Sequence, residues 1–137
     1  MLAGTAAQLS LIPLEVALAV FEDEDMQALR AKGSALGDCF IRLVDQELAG
    51  HGFGLASPRE AARRGRQVSL THPEGYAIMQ ALIARDVIGN FRTPNVLRFG
   101  FAALYVRYVD VWDAVAGLKD ILSSSAGTGP RSGNARP

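Results

Sequence analysis

Residues 67–101 read QVSLTHPEGYAIMQALIARDVIGNFRTPNVLRFGF, and the order of hydrophobic periods within them decides the fold class. Residues 67–70 alternate, with Val68 and Leu70 on one side, which predicts a strand. Pro73 suits the first position of a helix, where its missing N–H has no partner to lose, and Glu74 suits the positive helix end. Tyr76, Met79, Leu82 and Ile83 supply that helix with a buried face, and Gly89-Asn90 predicts a turn. Residues 96–101 alternate again as a strand. Strand, helix and strand within so short a span predict a small sheet covered by helices.

Outward from this stretch the same reading holds. Residues 53–57 predict a short strand and residues 58–65 a turn or short helix. Residues 25–49 predict a long amphipathic helix, with Met26, Leu29, Gly33, Leu36, Phe40 and Leu43 on one face and His51-Gly52 ending it. A helix is also predicted over residues 9–21, capped by Ser10 and tolerating Pro13 in its first turn. Its apolar residues leave almost no polar face. A helix apolar all round is buried on more than one side, and this chain has little material to cover it twice, so further protein is expected around it. Residues 110–122 predict the last helix, with Asp110 and Asp113 answering its dipole. The final SSSAGTGPRSGNARP is of low complexity and predicts disorder. The expected organisation is a leading loop (1–8), one α+β domain (9–122) with a sheet of about three strands, and a tail (123–137).

Lys and Arg (14) balance Asp and Glu (14), so no global field draws the chain to nucleic acid or to an anionic membrane. The one basic cluster, Arg59, Arg63, Arg64 and Arg66, lacks interleaved aromatics and reads as a solvated turn. The apolar run 9–21 is too short to span a bilayer, lacks a preceding Lys or Arg and is broken by Glu15, so neither anchor nor signal is expected. A single cysteine, Cys39, makes no internal disulfide, fits a reducing cytosol and reads as a small core residue.

Few residues carry candidate chemistry. His51 and His72 are not at ligand spacing from another His or Cys, so no metal site is expected. Gly50, Gly52 and Gly54 follow a helix and precede a strand, the reverse of a phosphate loop. His72, beside a proline at a helix start, reads as a cap or a surface residue. Arg98 is the one charge in VLRFGF, on the face opposite Leu97, Phe99 and Phe101 and next to a glycine that leaves space. A guanidinium there has two readings: an ordinary solvent-facing strand charge, or a fork that grips a carboxylate with two parallel hydrogen bonds.

Residues 67–112 closely resemble the C-terminal stretch of bacterial kynureninases, which carry V-S-x-x-H-P-E-G-Y, V-I-G-D-[FY]-R, R-F-G-F-T-P-L-Y and V-W-D-A-V in this order. The earlier GTAAQLSLIPLEVALAVFEDEDMQALRAKGSAL is similar to the family's G-T-x-P run and the helices after it, and SPREAARRG has a counterpart too. The sequence departs from those patterns at Ala7, Asn90, Ala102 and Ala103. The resemblance implies the small C-terminal domain of a cytoplasmic, homodimeric, pyridoxal-phosphate enzyme of the aspartate-aminotransferase fold. Such an enzyme hydrolyses L-kynurenine to anthranilate and L-alanine in tryptophan catabolism. By the same resemblance Arg98 would hold the substrate α-carboxylate, and Thr5 would reach the cofactor phosphate of the partner subunit. The Schiff-base lysine belongs to a large domain with no counterpart here, so the chain alone is expected to be inactive. The competing expectation is a non-catalytic, stand-alone interaction domain that binds partners through its apolar first helix.

Overall fold

The computed structural model describes residues 8–126, so Thr5 and most of the expected leading loop and tail lie outside the described residues. The framework of the domain is helix α2 (Met26–Glu47), which begins where the Asp25 carboxylate accepts the Gln27 N–H at 2.8 Å. Its inward stripe is Leu29, Gly33, Leu36, Phe40 and Val44, widened by Gly37 and Ile41. Expected members Met26 and Leu43 lie at the margins, exposed and half-buried respectively, and Cys39 is half-buried against the core. Beyond the helix, Gly50 and Gly52 take φ values of +81° and +82°, a region L side chains avoid, and turn the chain toward the sheet.

Strands β1 (Gly54–Leu55), β2 (Gln67–Thr71), β3 (Asn90–Arg92) and β4 (Val96–Gly100) form one antiparallel sheet in the order β1-β2-β4-β3. Val68 faces Phe99 across the central pair, and Leu70 and Phe91 flank Leu97 from either side. Val68, Leu70, Leu97 and Phe99 are buried on one face, where α2 and α3 (Gly75–Ile83) pack, and α4 (Tyr108–Ala126) lies against both helices and completes the core. Helix α3 starts close against the sheet because Gly75 lacks a side chain: a Cβ there would lie 3.0 Å from Leu97 Cδ1 and 3.1 Å from the Asn95 carbonyl. The opposite face of the sheet is polar.

Several expectations are corrected. The sheet has four strands, not about three: Asn90–Arg92, expected to open with a turn, pairs with β4 as an edge strand. Three residues are too few to display a period of two. Helix α1 (Gln8–Leu18) begins two residues before Ser10, so Pro13 is its sixth residue and lies past the first turn. A short 3-10 turn, Ala19–Phe21, continues it and buries none of its residues. The apolar side chains Leu11, Ile12, Leu14, Val16 and Leu18 are exposed, as that all-apolar composition requires when nothing covers it. The last helix runs to Ala126, four residues past its expected end. The arginine cluster is not uniformly solvated. The Arg64 side chain is only 3% exposed, pairs with Asp38 on α2 and donates to the Pro58 carbonyl, pinning the β1–β2 connection to the helix. Arg59 adds a bidentate pair to Asp45, at 2.6 and 2.9 Å.

Helix α4 opens on a self-made cap. Asp110 Oδ2 accepts the Arg107 backbone N–H at 2.7 Å and Oδ1 accepts Arg107 Nη2 at 2.6 Å. The hydrogen bonds from the Arg107 side chain, then that from its backbone, hold the Asp110 carboxyl below the usual carboxylate range. A carboxyl depressed by folding adds stability that is full above its unfolded value of about 3.9, and that is lost as pH falls through the lower folded value. Asp110→Asn is therefore expected to flatten the fall in melting temperature between about pH 4 and pH 2. Thermal melts across that range check it, and an unchanged slope would show that the cap does not couple to folding.

Candidate functional site

On the polar face, the register sets Ser69 of β2 and Asn90 of β3 on either side of Arg98 in β4. Alternation along β4 buries Leu97 and Phe99 and leaves Arg98 half-buried on the open side, as the sequence pattern predicts. Gln67 lies opposite Gly100, where an added Cβ would meet nothing within 4 Å. Gln67, Asn90, Arg98 and Gly100, together with Ile88, Gly89 and Arg92, line an open depression of about 450 Å³, with Ser69 beside Arg98 in the register. None of its described lining residues is acidic, and two are arginines. Polar side chains flanking a half-buried guanidinium, with no carboxylate to neutralise it, form a setting in which a small anion can be held by the free N–H groups. Gln67, Ser69 and Asn90 were not singled out in the sequence. Alternation in β2 places Gln67 and Ser69 on the face away from Val68 and Leu70, but only the pairing register brings them to Arg98.

Arg98 Nη2 donates to Gln67 Oε1 at 2.7 Å. A second, larger hollow of about 660 Å³ lies on the helix side of β4. Its walls include Phe40, Phe99, Phe101 and Val111, and its acidic members Asp86, Asp110 and Asp113 suit no anion.

His72 is a structural joint rather than a reactive group. Its Nδ1 accepts the Glu74 N–H at 3.0 Å, which leaves Nε2 to donate to the His51 carbonyl at 2.9 Å. Its ring packs on Phe53 with centroids 4.7 Å apart. The ring thus closes the turn at Pro73-Glu74 rather than capping α3, which starts at Gly75 with Glu74 as its N-cap and no side-chain cap bond, and the same ring clamps the turn after α2.

The described residues do not fit a pyridoxal group that needs a Schiff-base lysine. The sequence has two lysines, Lys32 and Lys119. Lys32 Nζ donates to the Ala103 carbonyl at 2.6 Å and Lys119 Nζ pairs with Glu47 at 2.7 Å, and neither lines the depression around Arg98. No group of three or more His, Cys, Asp or Glu gathers among the described residues, and no helix among them is long and apolar enough to cross a membrane.

Comparison with known proteins places this geometry in context. A family model described as "Kynureninase C-terminal domain" matches residues 29–118. A kynureninase of Burkholderia mallei is 50% identical over 129 residues, covering 94% of this chain and 31% of that protein. A kynureninase of Pseudomonas fluorescens is 52% identical over 121 residues, covering 88% of this chain and 29% of that protein. Among solved structures, a NifS-like protein superposes with a TM-score of 0.69 over 89% of this chain and 35% of its own, at 14% identity, a likeness of fold alone. The chain thus spans about a third of the length of the curated relatives it matches.

Proposed function

Because the chain belongs to the kynureninase C-terminal domain family, we propose that it is the substrate-carboxylate-binding part of a kynureninase, working with a larger cofactor-bearing domain. In the complete enzyme, pyridoxal phosphate would supply the electron sink for cleavage of L-kynurenine to anthranilate and L-alanine. The residues of this chain would bind and orient the substrate. Arg98 would present its fork to the α-carboxylate, and the polar floor of Ser69 and Asn90 would keep the approach open. Thr5 would reach the cofactor phosphate of the partner subunit in a cytoplasmic homodimer, as the resemblance implies. The observation that carries this reading is Arg98 at the centre of an open sheet face whose described lining holds no carboxylate.

The exposed apolar surface of α1 supports the partnership, since covering it requires protein beyond the described residues. The same surface supports a second reading, a stand-alone interaction domain docking through α1. One experiment separates the two. The chain is assayed for fluorescent anthranilate release from kynurenine, alone and fused behind the large domain of the Pseudomonas fluorescens relative. No release alone and clear release from the fusion is expected. Release by the chain alone, or a fusion that binds cofactor and stays inactive, would overturn the proposal.

A further inference from the structure

We infer that Gln67 positions the Arg98 guanidinium and, being uncharged, keeps its positive charge free for a carboxylate ligand. This rests on the carboxylate-binding reading of Arg98. Among the described residues, Arg59, Arg63, Arg64, Arg85 and Arg107 each have a carboxylate within 4.0 Å. Arg98, like Arg30, Arg42, Arg66 and Arg92, has none there, but Arg98 lies half-buried between two neighbouring strands. Its partner is an amide oxygen, Gln67 Oε1, at 2.7 Å.

That amide is itself held. Gln67 Nε2 donates to Ser69 Oγ at 3.2 Å, so the amide nitrogen is committed to the hydroxyl and the oxygen is turned to the guanidinium, which has only donors to offer. Ser69 is in turn fixed by its backbone N–H, which donates to Ser57 Oγ at 2.8 Å. Gln67, directly opposite Gly100, reaches diagonally across the strand pair to Arg98, and the space beside Gly100 stays open. A relay of neutral groups thus runs from the β1–β2 connection to one terminal nitrogen of Arg98. Its other N–H groups stay available to an incoming anion.

The chemistry explains the choice of residue. A carboxylate at position 67 would orient the guanidinium equally well, but it would also neutralise it and repel a second carboxylate. An amide fixes the fork through a dipole and leaves the full unit charge to the ligand. Gln67 is therefore a positioning residue acting through Arg98, and the site is matched to a single carboxylate.

The test uses the fused enzyme with kynurenine, comparing Gln67→Glu, Gln67→Met and Arg98→Ala. Glutamate is nearly isosteric with glutamine, so folding is retained in that variant. Gln67→Glu is expected to raise KM by roughly a hundredfold and Gln67→Met by roughly tenfold, with kcat changed far less and cofactor absorbance unaltered. The ranking is decisive: a purely structural role would make glutamate the milder substitution, and charge retention makes it the harsher. A Gln67→Glu enzyme with a normal KM, or one milder than Gln67→Met, would overturn the inference while Arg98→Ala still raised KM. If Arg98→Ala itself left KM unchanged, the carboxylate reading would fail first and take the inference with it.

Discussion

Arg98→Ala, in the fused enzyme, is expected to lower kcat/KM for kynurenine by roughly a hundred- to several-thousandfold. The magnitude follows from the setting. Removing the guanidinium loses both arms of the fork, at about 1.5–3 kcal/mol for each hydrogen bond to a charged group. Arg98→Lys keeps the charge but loses the planar fork. Each hydrogen bond to a charged group is worth about 1.5–3 kcal/mol, so a ten- to hundredfold loss is expected, roughly, for the lysine variant. The fold should survive both substitutions, since Arg98 sits on the open side of β4 and the core is built from Leu97 and Phe99 beside it. Cofactor occupancy, read by absorbance, should hold steady. If Arg98→Ala kept near-normal kcat/KM, the carboxylate role would be wrong and Arg98 would be an ordinary strand charge.

Phe40→Ala is expected to be the most damaging core truncation, at about 3–5 kcal/mol of unfolding free energy. Phe40 is 1% exposed, and its ring stands 4.9 Å from that of Phe99 and 5.4 Å from that of Phe101, centroid to centroid. It is the point at which α2 rests on the strand that carries Arg98 on its other face. A loss of this size is a large share of the roughly 5–15 kcal/mol that holds a typical domain together. Urea titration of the full chain at low concentration, where α1 contributes least to association, measures it. A change below about 1 kcal/mol would mean that the aromatic cluster relaxes into the space, contrary to its packing.

How much of this was legible beforehand depends on the range of the interaction. The face on which Arg98 lies follows from the alternation Leu97-Arg98-Phe99, a property of three adjacent residues. Its partner Gln67 is 31 positions away. That contact exists only once β2 and β4 are paired in one register, and no local period encodes the register. The edge strand Asn90–Arg92 was missed because three residues with one inward side chain, Phe91, look the same as a turn. Arg64 belongs to a short basic cluster without aromatics, a pattern that reads as a solvated turn, whereas its environment is set by Asp38 and main-chain carbonyls from α2 and the preceding turn. The apolar character of α1 was plain in the composition. What it packs on was not, since its covering surface is not among the described residues.

Strands β1 and β3 are two and three residues long, while the inner pair β2 and β4 has five residues each. The margins of this sheet therefore offer very few free backbone N–H and C=O groups to a neighbouring molecule, and β3 carries the exposed Arg92 among them. Edges so brief, one of them carrying an arginine, give a foreign strand little ladder to extend. Crowding of this chain should then produce clumps held by greasy side chains along α1, dispersible by mild detergent, rather than fibres zipped together through their main chains.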